Sequence, residues 1–408
     1  LLWCVFLRWR SQAAMTLIRF CKTLSTTTLF ALSLALLSAC ASQDDGDSYS
    51  LSAPVAAGQA IQIDHMISHM PGQAWRLTYR SSDARNPNQL VRVSAEVLIP
   101  RGTPPTGGWP VLAWGHGESG LHLTCAPSVM GLGTVQEHFY APWLQQGFAI
   151  VATDYPGLGE PGVALLLNAR SEGMSMLDSV RAAHARFPDI SLTTVLSGHS
   201  QGAQAALAAS AIATTYAPQL HIVGTVAVAP PYLDAQGVQD LLRPRNPRSF
   251  SPAVPELLSL GASLSQADPS FDPNAVFTTR ALALMHDAAT TCSSDFFPMA
   301  HRSGLTPATM LRPGAEAVLT PALKWAEYPS LSLSTPVMIA TGAQDLHSSP
   351  NEQQRLVSAL CAAGTSVTHH TYGGASHNGT LSSVTTDAHT FVRSLMSGQT
   401  PPRSCPAR

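Results

Sequence analysis

The segment Thr194-Val195-Leu196-Ser197-Gly198-His199-Ser200-Gln201-Gly202-Ala203 decides the fold. An apolar run ends there in the pattern Gly-x-Ser-x-Gly, and an alanine-rich stretch at 205–212 follows at once. A strand that enters a helix through this pattern is typical of the nucleophile elbow of serine hydrolases, where the serine sits on a strained turn with its hydroxyl exposed. Gly198 and Gly202 leave the clearance that the turn needs. Ser200 is therefore the predicted nucleophile.

The amino-terminal sequence predicts export. Met15 opens a stretch with two basic residues, the apolar segment 29–37 follows, and the sequence then reads Leu-Ser-Ala-Cys up to Cys40. This order is typical of a bacterial lipoprotein signal peptide, so we interpret 1–39 as upstream translation and signal peptide and 40–60 as a tether. The apolar segment is too short to span a bilayer as a stable helix. We expect lipidation of Cys40 and attachment to the cell envelope, as an outer-membrane lipoprotein or a secreted protein; an ordinary cleaved signal with an incidental cysteine is the alternative.

Cysteine usage indicates an oxidising compartment, and cysteine spacing and net charge argue against metal, cofactor and nucleic-acid partners. The remaining cysteines of the mature chain are even in number, which suits two disulfides in an oxidising compartment and leaves three pairings open: Cys125, Cys292, Cys361 and Cys405. None of them forms a Cys-x-x-Cys motif, so we expect no metal and no cofactor. The formal net charge is −2, and removing 1–39 removes only basic residues, so nucleic acid is not an expected partner. The oligomeric state stays open.

Strands and helices alternate through the rest of the chain. Apolar or alternating runs predict strands at 75–80, 90–99, 110–114, 148–153, 194–199, 221–228, 336–340 and 366–372, the first two of them antiparallel. Helical patterns lie at 174–187, 203–216, 351–363 and 387–397. Strands that are apolar throughout and alternate with helices predict an α/β fold, with a mostly parallel central sheet covered by helices on both faces.

One long gap interrupts this alternation. Residues 231–330 separate two predicted strands and contain apolar runs at 257–260 and 280–285. A structureless loop of that length is improbable inside a compact domain, so we predict an inserted helical cap, or lid, over the site. The predicted core then comprises 61–230 and 331–408.

A serine nucleophile needs a base and a group that orients the base. In this type of fold the chain order is Ser, acid, His. Asp345 follows the strand at 336–340 on a turn, and His377 lies in a glycine-rich loop after the last strand, so these two complete the predicted triad. Asp345 could instead cap the next helix, and the cap residues Asp234 and Asp240 are weaker rivals.

The oxyanion of the tetrahedral intermediate needs two backbone donors. The amide of Gln201, which follows the nucleophile, is one. The sequence Trp114-Gly115-His116-Gly117-Glu118 predicts the loop that carries the other, with the Glu118 amide favoured and Gly117 second. We assign His116 to the turn and expect His199 to pack against the sheet. The other late histidines, His369, His370 and His389, are expected to be structural or exposed.

These residues together resemble the secretory lipases similar to Candida antarctica lipase A, within the α/β-hydrolase superfamily. The resemblance runs from about residue 75 to the carboxyl end. It rests on the Gly-His-Ser-Gln-Gly elbow, on Asp154-Tyr155-Pro156-Gly157-Leu158-Gly159, on Asp345 and His377, and on the insertion after Pro230. It implies an α/β-hydrolase fold and the pairings Cys125–Cys292 and Cys361–Cys405. Two features differ from the fungal members of this family: the lipoprotein signal sequence Leu-Ser-Ala-Cys that ends at Cys40, and the sequence Gly115-His116-Gly117 in the oxyanion loop.

The sequence therefore predicts a carboxylic ester hydrolase of the lipase type, which forms an acyl-enzyme on Ser200 and acts on acyl esters or lipids. A short-chain or aryl esterase is the alternative within enzymes. A non-catalytic surface lipoprotein that binds lipid is the alternative outside them, although such a protein would gain nothing from an intact triad.

Overall fold

The computed structural model describes residues 56–131, 133–244, 246–249 and 251–406. The predicted signal peptide, the lipidated Cys40 and the tether up to residue 55 lie outside the described residues. None of the helices within these ranges combines the length and the apolar character needed to cross a bilayer.

The centre of the fold is a sheet of nine strands in the order β1-β2-β3-β5-β4-β6-β7-β8-β9. The strands are β1 (Ala60–Met66), β2 (Gly72–Asp83), β3 (Asn86–Pro100), β4 (Trp109–Gly115), β5 (Ala149–Thr153), β6 (Ile190–His199), β7 (His221–Val228), β8 (Val337–Gly342) and β9 (Val367–Tyr372). The strands β1, β2 and β3 pair antiparallel, and β3 joins β5 antiparallel. All pairs from β5 through β4 to β9 are parallel. The mostly parallel sheet with an antiparallel entry is the predicted one.

Helices cover both faces of this sheet. The α-helices of the described residues are α1 (Pro127–Met130), α2 (Thr134–Gln145), α3 (Ala169–Arg186), α4 (Gln201–Tyr216), α5 (Ala235–Leu242), α6 (Ala253–Ala267), α7 (Pro273–Val276), α8 (Thr279–Thr290), α9 (Ser293–Arg302), α10 (Pro307–Met310), α11 (Ala315–Leu323), α12 (Pro350–Ala362) and α13 (His377–Met396). Single 3₁₀ turns occur at Leu123–Cys125 and Lys324–Ala326. One face packs against α3 and α4, in a cluster that includes Met176 and Ala205. The other face packs against α2 and α13, through Trp143 and Phe391. Because both faces are buried, the parallel strands can be apolar along their whole length.

The insertion between β7 and β8 is helical. It contains α5 to α11, and its residues Leu257, Leu260 and Phe277 are buried in a hydrophobic cluster that also includes Leu121 and Leu166 from outside the insertion. This arrangement agrees with an inserted cap, although the boundaries at 231 and 330 stay a prediction. The part of the chain that the structure describes contains two disulfides: Cys125–Cys292 joins the 3₁₀ turn after β4 to the start of α9, and Cys361–Cys405 joins α12 to the carboxyl-terminal tail.

Several elements differ from the sequence prediction: β1 and α1 were not predicted, and α3 begins five residues before its predicted start at 174. Helix α13 begins at His377, ten residues before the predicted start, so the predicted loop histidine is in fact the first helical residue. Helix α2 was not predicted at all, and it contains Pro142. Pro is a poor helix former, but its aromatic neighbours Phe139 and Trp143 are buried, and that burial favours the helix.

Candidate active site

The turn at Ser200 has the strained backbone of an elbow. Its φ is 57° and its ψ is −121°, outside the regions that a non-glycine residue normally occupies. The neighbouring glycines are required by close backbone approach: a Cβ on Gly198 would lie 2.1 Å from the carbonyl oxygen of Gly202. A Cβ on Gly202 would lie 1.9 Å from the carbonyl oxygen of Gly115. The elbow, its helix and the end of β4 therefore pack backbone against backbone.

The structure brings Asp345 and His377 together. Nδ1 of His377 lies 2.8 Å from Oδ2 of Asp345, which is only 2% exposed. The backbone amides of His347 and Ser348 donate to Oδ1 of Asp345 over 2.9 and 3.0 Å, so the carboxylate is held on both oxygens. The following helix α12 is capped by Ser349 and not by Asp345, which removes the alternative role considered for this aspartate.

His377 shares a cavity with the nucleophile. Ser376 caps helix α13 by accepting the Gly379 amide, and His377 follows as the first helical residue. Because a carboxylate only accepts hydrogen bonds, Nδ1 of His377 carries a proton and Nε2 is left available. Ser200 and His377 both line one cavity of about 610 Å³. Its other lining side chains are mostly polar, and we call it the polar cavity.

The predicted oxyanion loop also lies beside the nucleophile. A Cβ on Gly117 would be 3.6 Å from Cβ of Ser200, and the hydroxyl of Tyr155 donates to the carbonyl oxygen of His116 over 2.9 Å. Gln201 is the first residue of α4, where the amide has no carbonyl one turn earlier to accept from it. The two amides named from the sequence, Gln201 and Glu118, thus belong to segments that flank Ser200, and their role stays a prediction.

The Glu118 side chain is an unexpected part of the site. Burial and the nearby Glu256 raise the pKa of Glu118 to about 8, so this carboxyl is mostly protonated at neutral pH. Oγ of Ser293, at the start of α9, donates to its Oε1 over 3.3 Å. Sequence reasoning considered only the backbone of this residue.

His199, which was expected to pack and not to react, is buried and lies against His377. Its ring centroid is 4.6 Å from that of His377, and its Nε2 donates to the carbonyl oxygen of His377 over 3.1 Å. Burial and the adjacent His377 lower the pKa of His199 to about 3, so the ring is neutral. His199 therefore contacts His377 from the side of the elbow.

The sequence analysis named neither His347 nor Glu256 as a site residue. The ring of His347 lies 4.8 Å from that of His377, and its Nδ1 is 2.7 Å from Oε1 of Glu256 on the cap helix α6. The hydrogen bond to Glu256 raises the pKa of His347. The position of His347, two residues after the acid, is a weak local signal, but the sequence contains none for Glu256.

The other candidate residues lie apart from the base. Asp234 caps α5 and pairs with Arg355, and Asp240 lies on the same helix. His369 contacts Thr341, His370 lies 3.3 Å from Asp387, and His389 packs on Trp143. Within the described ranges, no group of three or more His, Cys, Asp or Glu side chains is arranged to hold a metal ion.

A second cavity opens from the same serine. It has a volume of about 230 Å³ and is lined largely by leucines from the cap and adjoining loops, including Leu166, Leu233, Leu241, Leu257, Leu260 and Leu323. We call it the leucine cavity. Ser200, Glu118, Glu256 and His347 line both cavities, so Ser200 lies where the two cavities meet.

Comparison with known proteins points to one family. The model of the family described as secretory lipase matches residues 129–402. Lipase A of Moesziomyces aphidis is 31% identical over 186 residues, which cover 41% of this chain and 38% of that protein. Lipase 7 of Candida albicans is 30% identical over 174 residues, which cover 40% and 39%. The chain thus spans about two fifths of the length of these relatives.

Solved structures show the fold. Candida antarctica lipase A in its closed state superposes with a TM-score of 0.70 at 22% identity, covering 86% of this chain and 85% of that one. The rice cell wall degrading esterase LipA of Xanthomonas oryzae has a TM-score of 0.67 at 18% identity, covering 85% and 100%. The nine-stranded sheet is therefore that of an α/β-hydrolase.

Proposed function

The chain belongs to the secretory lipase family, and we propose that it hydrolyses carboxylic esters of the lipase type through an acyl-enzyme on Ser200. One observation carries the proposal: a serine on a strained elbow shares a cavity with a histidine whose Nδ1 is 2.8 Å from a buried aspartate. A binding protein has no need of that arrangement.

In the proposed reaction Oγ of Ser200 attacks the ester carbonyl while Nε2 of His377 takes the serine proton. The resulting imidazolium is stabilised by Asp345 and returns the proton to the leaving alcohol. Water then attacks the acyl-enzyme while Nε2 of His377 takes a proton from it, and this proton returns to Oγ of Ser200 as the acid is released. The amides of Gln201 and Glu118 are the proposed donors to the oxyanion, with Gly117 as the alternative second donor.

The leucine cavity is the proposed site of the acyl chain. Eight leucines line it together with Ser200, although Glu118, Asp240, Glu256 and Glu352 line it as well. Each methylene buried against the leucines contributes up to ~0.8 kcal/mol. Activity should therefore rise with chain length until the cavity is full. The modest volume of about 230 Å³ favours short or medium chains, which keeps a short-chain esterase as the second candidate.

We further propose that the protein acts outside the cytoplasm. The family is described as secretory, and two disulfides are typical of proteins in oxidising compartments. Anchoring through a lipidated Cys40 rests on the sequence alone. Metabolic labelling with a fatty acid in a bacterial host, in the wild type and Cys40→Ser, would test it, and equal labelling of the two would reject the anchor.

Hydrolysis of p-nitrophenyl esters from acetate to palmitate by the wild type and Ser200→Ala tests the main proposal. We expect Ser200→Ala to lower kcat by ~10⁴-fold or more. A peak of kcat/KM at acetate or butyrate, with solubility controlled, would select the short-chain esterase. Equal and negligible rates for both proteins on every ester would leave the lipid-binding protein as the better interpretation.

A further inference from the structure

Two residues that line the polar cavity each carry a buried polar atom without a partner among the described residues. Nε2 of His116 and Oγ of Ser119 are buried, and neither makes a hydrogen bond with any described residue. Both residues line the polar cavity, and His116 is only 4% exposed. Buried polar atoms in folded proteins are nearly always hydrogen-bonded, so each exception calls for a cause.

The ring of His116 is fixed as a hydrogen-bond acceptor. Its Nδ1 lies 2.7 Å from the carbonyl oxygen of Gly117, and because a carbonyl only accepts, Nδ1 carries the proton. Burial lowers the pKa of His116 to about 4, so Nε2 keeps its lone pair at neutral pH. The ring also packs on Tyr155 with centroids 4.5 Å apart. The lone pair of Nε2 is thus held in place and needs a donor.

His116 and Ser119 line the cavity that is left for the alcohol half of the ester. If the acyl chain enters the leucine cavity, the alcohol half faces the other space beside Ser200, which is the polar cavity of about 610 Å³. That space is the larger of the two and is lined by further hydrogen-bonding side chains, among them Gln136, Ser294 and Asn378. A simple alkyl alcohol would satisfy none of these groups.

We propose that His116 and Ser119 form a subsite for the alcohol half of the substrate, and that this subsite binds an alcohol with a free hydroxyl group near the scissile ester. A partial glyceride and a sugar ester both offer this chemistry. The inference rests on the proposed ester hydrolysis and adds the class of alcohol. Nε2 of His116 accepts from the substrate hydroxyl, and Oγ of Ser119 can donate to it or accept from it.

The energetic consequence is a preference among alcohols. A site built to hydrogen-bond a hydroxyl discriminates against an analogue without one, because its own buried polar atoms are then left unpaired. We expect glyceryl monobutyrate to exceed propyl butyrate in kcat/KM by about tenfold or more, since these esters share the acyl group and the three-carbon alcohol skeleton.

The experiment measures that ratio in the wild type, His116→Leu, Ser119→Ala and His389→Leu. His389 is the matched control, because it is also a buried histidine whose Nε2 lacks a partner among the described residues, but it packs on Trp143 away from the polar cavity. A ratio of two substrates cancels the fraction of folded enzyme. The ratio should fall by about tenfold in His116→Leu, less in Ser119→Ala, and stay at the wild-type value in His389→Leu.

A glucose 6-butyrate arm identifies the source of the hydroxyl, since the polyol ester with the larger His116-dependent preference is the better model of the substrate. Equal ratios in the wild type and His116→Leu for both polyol esters would overturn the subsite. A wild type that hydrolyses propyl butyrate without any preference would also overturn the subsite, yet would leave ester hydrolysis intact. Failure of the proposed function looks different, because no ester would then be hydrolysed faster by the wild type than by Ser200→Ala.

Discussion

Substituting Gly202 by alanine should disable the site without touching any reacting atom. A Cβ there would lie 1.9 Å from the carbonyl oxygen of Gly115, 2.2 Å from the carbonyl carbon of Gly115 and 2.8 Å from the carbonyl oxygen of His116. All three atoms are backbone at the start of the loop that carries the proposed second oxyanion donor, so no side-chain rotation can relieve the contact.

The size of the required movement follows from ordinary contact distances. Carbon atoms in contact are about 3.5 Å or more apart, so the elbow and the end of β4 must separate by more than about 1 Å. A misplacement of that size in a catalytic constellation costs about 10²-fold in rate. Overpacking of the buried elbow should also lower the free energy of unfolding by ~1–3 kcal/mol. We therefore expect a folded protein with kcat reduced by about two orders of magnitude.

The assay compares Gly202→Ala with Gly374→Ala. A Cβ on Gly374 would meet nothing within 4 Å, although this glycine lies in the loop before His377. Turnover of p-nitrophenyl butyrate, normalised by thermal unfolding followed by circular dichroism, gives kcat per folded molecule. If Gly202→Ala keeps kcat within about twofold of Gly374→Ala, the reasoning from backbone contact is refuted.

Three further predictions concern the acid, the cap disulfide and pH. Asp345→Asn should lower kcat by ~10⁴-fold by favouring the wrong tautomer of the base, and a loss of under about tenfold would argue that another group orients it. Replacing Cys125 and Cys292 together by serine should lower the free energy of unfolding by ~2–4 kcal/mol in urea denaturation; an unchanged midpoint would show that the bond is dispensable. Because the pKa of Glu118 is raised from 4.5 to about 8, the folded protein holds a proton that the unfolded chain loses in that range, so stability falls as pH rises from about 4.5 to 8. Glu118→Gln should therefore lose less Tm than the wild type between pH 5 and pH 8, and parallel losses would contradict the buried proton.

The sheet could be predicted from the sequence because its signal is local. Strands buried on both faces are short apolar runs, and each observed strand from β4 to β9 overlaps the predicted one. The start of α13 could not be predicted from the sequence, because the residues after His377 include Asn378, Gly379 and several Ser and Thr, all poor helix formers. Tertiary contacts decide there: Leu381 and Val384 are buried against the sheet.

The candidate site, too, could be predicted from the sequence only in part. Ser200, Asp345 and His377 follow strands in a fixed order, so their positions could be named from local patterns. Glu256 is 91 residues away from His347 in the chain, and no local pattern relates them. Nor could burial be known for the Glu118 side chain, whose raised pKa depends on the cap residues packed over it.

The way the insertion is fastened to the core bears on how such a site acquires its substrate. The cap is joined to the core by the Cys125–Cys292 disulfide, by Glu256 with His347, and by Asp234 with Arg355. Ser200, Asp345 and His377, the residues of the proposed triad, all lie outside the insertion. The cap residues Leu257 and Ser293, in contrast, line the leucine cavity and the polar cavity respectively. Changes in the insertion can therefore alter which acid and which alcohol fit, while the core residues that carry out the proposed reaction stay where the strands hold them.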